Sequence, residues 1–285
     1  MAKDNWKELC RLAEQDDGLP IRPAHSGSID KLYWWSRYLT TTSNAMVGRT
    51  KWPTSIVYVD LFAGPGVLEA DGTRYPGSPL LAANVEKQFQ RLMFCEKDVD
   101  LATALTTRLR TSPAADRSIV FVGDCNARIG DVVAAIPQDS LTIAFIDPTG
   151  LHASFNTLRA LCTGRSVDLL ILVPTEMDIH RNLDAYYLPQ EWSKLDEVLG
   201  ERIDWRKRYQ ELASRTRNRV SRFFLEVYKE RLQTQLDYTE FGDEVIRRGK
   251  KAIYRILFAS KHPLGLHFWN IASKKQRQGG SLPFE

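Results

Sequence analysis

Cysteine is scarce and scattered: Cys10, Cys95, Cys125 and Cys162 stand far apart in 285 residues, with no C-x-x-C pair. That spacing argues against zinc ribbons and disulfide scaffolds and suits a reducing compartment, the cytoplasm. No apolar run comes near the roughly 20 residues that a membrane-spanning helix needs. The opening Met1-Ala2-Lys3-Asp4-Asn5-Trp6-Lys7-Glu8 is charged and lacks an apolar stretch, so no secretory signal is expected. The five histidines show neither H-x-x-x-H nor mixed His/Cys spacing, and no metal is expected. Internal repeats and low-complexity tracts are also missing.

What is present is the composition of a soluble globular chain, 43% hydrophobic and 26% charged, long enough for one large domain or two small ones. Charge is segmental. Residues 201–285 carry 19 Lys and Arg against 10 Asp and Glu, a net +9, which leaves −5 for the first 200 residues within a total of +4. A basic segment is the usual electrostatic footprint of a polyanionic partner such as nucleic acid; solvated helix faces are the alternative.

Five short apolar runs alternate with segments of helical spacing: Ile56–Asp60, Leu92–Glu96, Ile119–Asp124, Leu141–Asp147 and Asp168–Val173. Strands apolar on both faces and separated by helices belong in a buried parallel sheet. Pro79–Gln90, with Ser78 as its cap, and Asp98–Arg110 read as intervening helices, and Ser28–Thr41 as a helix packed on the core. Two later runs, Ala252–Ser260 and Leu264–Ile271, are separated only by Lys261-His262-Pro263, so they are expected to pair as an antiparallel hairpin. Five parallel strands closed by a hairpin match the strand inventory of a class I methyltransferase-like Rossmann sheet. The chain then divides into an N-terminal helical extension (1–50), a core (51–175 and 250–273) and a basic, helical insertion (176–249). Within the insertion, Trp205–Arg231 reads as one long helix, which would bring Arg208, Arg215, Arg219 and Arg222 into a row.

The chemistry-bearing residues gather at strand ends. Asp60-Leu61-Phe62-Ala63-Gly64-Pro65-Gly66 follows the first strand; its glycines permit a tight turn and close backbone approach to a ligand, while Asp60 can accept a hydrogen bond from an amino group. The segment resembles the first motif of S-adenosylmethionine-dependent nucleic-acid methyltransferases, which gives Asp60, Phe62, Gly64 and Gly66 a cofactor-binding role. Glu96 closes the second strand, where a carboxylate can take both ribose hydroxyls, although Lys97 and Asp98 could exchange roles with it. Asp124 suits the exocyclic amine of adenine, or a helix N-cap. Asp147-Pro148-Thr149 ends the fourth strand, where amino-group methyltransferases carry an acid or amide, two prolines and an aromatic. Asp147 and Pro148 are thus candidates for holding an acceptor amine. The second proline and the aromatic are missing, and Phe155 is the nearest ring. No Pro-Cys occurs, so carbon-5 cytosine methylation lacks its nucleophile; Cys95 and Cys162 read as core residues. His180 and Arg181 would stand near a substrate entering over the fourth and fifth strands.

The chain resembles the three-Cys-motif partner protein family of bacteria and phages. The likeness lies in Tyr58–Gly66, Gly77-Ser78-Pro79-Leu80, Phe145–Gly150 and Phe258–Gly265, in that order, and covers most of Ser28–Ala272. It implies a methyltransferase-like fold and a protein partner bearing a three-cysteine, radical-enzyme-like motif. It also suggests a winged-helix-like module in the insertion, which the arginine row would suit. Thr149 departs from the family, where an aromatic is expected. The reading is an S-adenosylmethionine-dependent methyltransferase acting on DNA or RNA; the alternative is a non-catalytic nucleic-acid-binding subunit that keeps the fold.

Overall fold

The computed structural model describes residues 5–49, 55–173, 175–200, 203–248 and 251–274. Among these residues ten strands form two sheets. The main sheet holds β2 (Ser55–Asp60), β5 (Arg91–Glu96), β6 (Ser118–Val122), β7 (Ser140–Ile146), β8 (Ser166–Val173), β9 (Glu240–Arg248) and β10 (Lys251–Ser260). Their order is β6-β5-β2-β7-β8-β10-β9, with the first five parallel, β10 antiparallel to β8, and β9 antiparallel to β10. This is the arrangement of a class I methyltransferase-like sheet, as the strand inventory implied. The order reverses between β2 and β7, and in open α/β sheets ligands bind at the carboxyl ends beside such a reversal.

Every residue of β2 and β7 is buried, because helices cover both faces. Alternate side chains then serve opposite cores: Val57 and Val59 face one, Ile56 and Tyr58 the other. The second core is aromatic. Trp35, from the helix Ser26–Met46, stacks on Phe145 of β7 with ring centroids 4.9 Å apart, and Trp269 stacks on Phe258 of β10 at 5.5 Å. The smaller sheet joins β1 (Arg22–Pro23) to the hairpin of β3 (Val67–Ala70) and β4 (Thr73–Pro76). No described helix is long and apolar enough to cross a membrane.

Several expectations need correction. The closing hairpin is β9 with β10, and Leu264–Ile271 is no strand but part of the helix Pro263–Lys274. Its buried positions, Gly265, Phe268, Trp269 and Ala272, follow helical spacing, and Pro263 opens it where a missing N–H costs nothing. Glu240–Arg248, expected inside the insertion, is therefore the edge strand of the main sheet. The stretch Trp205–Arg231 is two helices, Trp205–Gln210 and Arg217–Leu236, broken at residues 211–216. The four arginines thus do not form one helical row. The helix after β4 runs only over Ser78–Ala83, with Gly77 at its cap position. Between 175 and 239 the described residues form helical turns and no strand, so no wing is present among them.

Candidate functional site

The turn after β2 is pinned from all sides. Leu61 N donates to the Phe145 carbonyl at 3.2 Å and Ala63 N to the Cys95 carbonyl at 3.0 Å, tying it to β7 and β5. Gly64 and Gly66 both take positive φ, +65° and +87°. A Cβ on Gly66 would also press on Leu105 and Leu80 at 3.2 and 3.3 Å. Arg108, buried, donates to the Pro65 carbonyl at 2.7 Å and to Pro20 at 2.8 Å, and grips Asp17 through Nε and Nη2 at 2.7 and 2.8 Å. The segment ahead of β1 is strapped to the turn in this way. Hydrogen bonding to Arg108 holds the Asp17 carboxyl below the usual range.

Asp60 lies directly beneath this turn and is fully buried. It accepts from Phe62 N at 3.1 Å and from the Tyr58 hydroxyl at 3.2 Å; that hydroxyl in turn accepts from Trp35 Nε1 at 3.1 Å. Burial pushes its carboxyl up to about 7, against the hydrogen bonds from Ser78 and Phe62 that favour the anion.

Glu96 supports the turn from β5: Oε2 accepts from Gly64 N at 2.7 Å and Oε1 from Asp98 N at 2.9 Å. Each oxygen keeps a second lone pair for a hydroxyl. Lys97 and Asp98 do not share its place, since Asp98 caps the helix Val99–Arg110 and Lys97 pairs with Asp124 at 3.3 Å. Asp124 itself caps the helix Cys125–Ala135, accepting from Asn126 N at 2.9 Å. Partial burial opposes ionisation there, but the hydrogen bonds from Asn126 and Lys97 outweigh it and lower the carboxyl.

A cavity of about 290 Å³ opens between the turn and the tip of β7. Phe62, Gly64, Gly66 and Ser78 form one side, and Asp147, Pro148 and Thr149 face them. The third wall comes from the N-terminal segment: Arg22, His25, Ser28 and Lys31. Lys31, only 6% exposed, pairs with Oδ2 of Asp147, whose Oδ1 bonds to nothing among the described residues. Of the sequence candidates, then, Phe62, Gly64, Gly66, Asp147 and Pro148 meet at the cavity. Glu96 and Asp124 stand behind or beside it, and Asp60 under it.

The arginines of the insertion are elsewhere and unlike one another. Arg208 pairs with Glu230 at 2.8 Å; Arg215 donates to the Gln210 carbonyl at 3.2 Å and sits 5.1 Å from the Tyr209 ring centre. Arg219 and Arg222 are exposed and unpaired among the described residues. Phe155 is fully buried and cannot stack on a base; Phe62 is the ring at the cavity. All four cysteines are buried and free, with burial pushing Cys95 and Cys125 up to about 12 and Cys162 to about 11. Among the described residues no group of His, Cys, Asp and Glu is placed to hold a metal ion.

The N-terminal wall was missed by sequence reasoning. Its signal was Lys31, a cation four residues before the core residue Trp35 and within the apolar face of a helix. The segment beyond β8 was only partly foreseen. Asp178 there accepts from the Tyr187 hydroxyl at 2.5 Å, from Asn182 Nδ2 at 2.7 Å and from Leu151 N at 3.2 Å, fixing the loop that carries Asp147.

No family model and no curated protein matches this chain. Solved structures of similar build include an O-methyltransferase from Bacillus cereus in complex with SAH, at 9% identity and TM-score 0.48 over 91% of each chain. A putative O-methyltransferase from Klebsiella pneumoniae shares 12% identity at TM-score 0.48, over 91% of this chain and 89% of that one. An O-methyltransferase from Streptomyces achromogenes, in complex with SAM, shares 11% at 0.46 over 92% of each. At these distances the likeness extends to neither ligand nor reaction.

Proposed function

We propose that this chain is an S-adenosylmethionine-dependent methyltransferase acting on nucleic acid, working with a partner that bears a three-cysteine motif. The observation that carries the reading is the cavity itself, at the reversal of strand order, between a positive-φ glycine turn and Asp147-Pro148. The donor set fits a nucleoside joined to an amino acid: the cavity offers both signs of charge, and Glu96 retains acceptor capacity beside it.

Gly64 and Gly66 would hold the amino-acid end over the buried Asp60, with Phe62 alongside and Glu96 taking the ribose. Asp124, already a helix cap, would meet the adenine at its exposed side. The cofactor supplies an electrophilic methyl group when bound. On the acceptor side, Asp147 Oδ1 and the Pro148 carbonyl would take hydrogen bonds from an amine and orient its lone pair, and Lys31 would hold the Asp147 carboxylate in position. Arg208, Arg215, Arg219 and Arg222 would grip phosphate, Arg219 and Arg222 most directly.

A second reading has its own support. With Thr149 at the β7 tip, Phe155 in the core and Lys31 on Asp147, base stacking and amine capture are both weakened, as in a nucleic-acid-binding subunit that leaves chemistry to its partner. Titration calorimetry with S-adenosylmethionine tests the cofactor, and no heat at millimolar concentration removes it. Transfer of radiolabelled methyl to DNA, RNA or the partner separates the readings, because a binding subunit retards nucleic acid on a gel and labels nothing.

A further inference from the structure

One charge in the cavity is left over. Lys31 and Asp147 neutralise each other, and Asp147 is the only acid among the described residues that line the space. Arg22 lines it too, reaching over the glycine turn: a Cβ on Gly64 would stand 3.6 Å from Arg22 Nη1. Among the described residues its guanidinium has no ion pair, hydrogen bond or ring partner. The imidazole of His25 lines the same wall with no side-chain hydrogen bond or ion pair among the described residues, while its carbonyl accepts from Ser28 N at 2.8 Å. The 21-residue helix Ser26–Met46 begins at the same wall with no side-chain cap and no acid in its first turn, so the positive end of its dipole adds to the charge. A half-buried guanidinium with five donors and no acceptor, set beside an imidazole and the start of a helix, is matched by a planar or tetrahedral oxyanion.

We propose that Arg22, His25 and the start of the helix Ser26–Met46 form an oxyanion subsite, which takes a carboxylate or phosphate from a molecule bound in the cavity. This rests on the methyl-transfer reading only for the identity of that molecule. The oxyanion belongs either to the amino-acid end of the cofactor or to a phosphate of the acceptor. Arg22 supplies the fork and His25 a second donor, while Lys31 stays on Asp147. Lysine at position 22 would keep the charge and lose the paired geometry.

The test uses the full chain, as wild type, Arg22→Ala and Arg22→Lys, each first checked for an unchanged unfolding midpoint. Calorimetry measures S-adenosylhomocysteine, 5′-methylthioadenosine, which keeps the nucleoside and thioether but lacks the carboxylate, and inorganic phosphate. Loss of one charge-assisted interaction corresponds to about tenfold or more in affinity. Arg22→Ala weakening S-adenosylhomocysteine by that factor while sparing 5′-methylthioadenosine assigns the subsite to the carboxylate. A loss confined to phosphate assigns it to the acceptor. Arg22→Lys should lie between wild type and Arg22→Ala in either case. If phosphate binds through Arg22 and neither nucleoside binds wild type, the subsite stands and the methyl-transfer reading fails. If the nucleosides bind and Arg22→Ala changes nothing, the subsite fails and the reading stands; wild type binding none of the three overturns the subsite as well.

Discussion

Lys31 reaches from the core face of the helix Ser26–Met46 to Oδ2 of Asp147, 116 residues later at the tip of β7. The pair joins the N-terminal segment to the cavity, and with Lys31 only 6% exposed, removing either charge alone breaks a largely buried ion pair. Lys31→Met is expected to destabilise the chain by about 3 kcal/mol, the usual scale for breaking such a pair. The double variant Lys31→Met/Asp147→Asn should lose clearly less than the sum of the two single losses. Equilibrium urea unfolding of the three variants measures the coupling, and strict additivity would show that the two groups do not interact.

Asp60 gives stability a pH dependence of definite sign. Its carboxyl titrates at about 7 in the folded chain against 3.8 for an unperturbed aspartate, so the folded state binds its proton more tightly. The stabilisation is complete below about pH 4 and is lost as pH rises toward 7, a change on the order of 4 kcal/mol by linkage. Asp60→Asn is neutral throughout and should lack this slope. Asp168, pushed up to about 6 by burial between Tyr38 and Ser260, slopes the same way in both proteins and cancels in the comparison. The quantity to follow is the wild-type minus Asp60→Asn difference in unfolding free energy from about pH 4 to 8, which covers the span over which the linkage acts; a flat difference contradicts the assignment.

The parts of this fold that could be read in advance are those whose side chains face only protein. β2, β5, β7 and β8 are apolar on both faces, so their runs need no knowledge of what packs on them. β9 hid because it is an edge strand: Glu240, Asp243, Glu244 and Arg247 interrupt its sequence, and Ile246 is its buried residue. Leu264–Ile271 misled for the opposite reason, since its dense apolar residues satisfy a strand and a helix pattern alike. Asp71-Gly72, both at positive φ, is the hairpin signal between β3 and β4. At the site, the glycine turn and Asp147-Pro148 were legible as motifs. Arg22 and Lys31 were not, because their place at the cavity is created by the packing of the N-terminal helix across the sheet.

Gly150 tests how firmly the β7 tip is held. A Cβ there would stand 2.7 Å from Asp178 Oδ2, the atom that accepts from Leu151 N. Gly150→Ala must therefore push Asp178 away from Leu151, Tyr187 and Asn182, at a cost of about 1–3 kcal/mol. Combining it with Asp178→Ser removes the obstructing oxygen, so the second substitution should cost less in that background than in wild type. Thermal unfolding of the four proteins decides the matter, and a Gly150→Ala variant as stable as wild type would mean that the tip yields freely.

The exposed arginines of the helix Arg217–Leu236 should differ from those already engaged. Among the described residues Arg219 and Arg222 have no ion pair or hydrogen bond to give up on meeting a phosphate, whereas Arg208 must leave Glu230 and Arg215 must leave the Gln210 carbonyl. If the basic segment binds nucleic acid, Arg219→Ala and Arg222→Ala should each weaken it and lower the slope of log affinity against log salt by about one. Arg208→Ala should do less, because its contribution is offset by the ion pair it breaks. Fluorescence anisotropy with labelled single- and double-stranded DNA and RNA between about 50 and 200 mM salt gives the slopes. Equal slopes for wild type and the Arg219→Ala/Arg222→Ala double variant would move the phosphate contacts off this helix and onto another face of the chain.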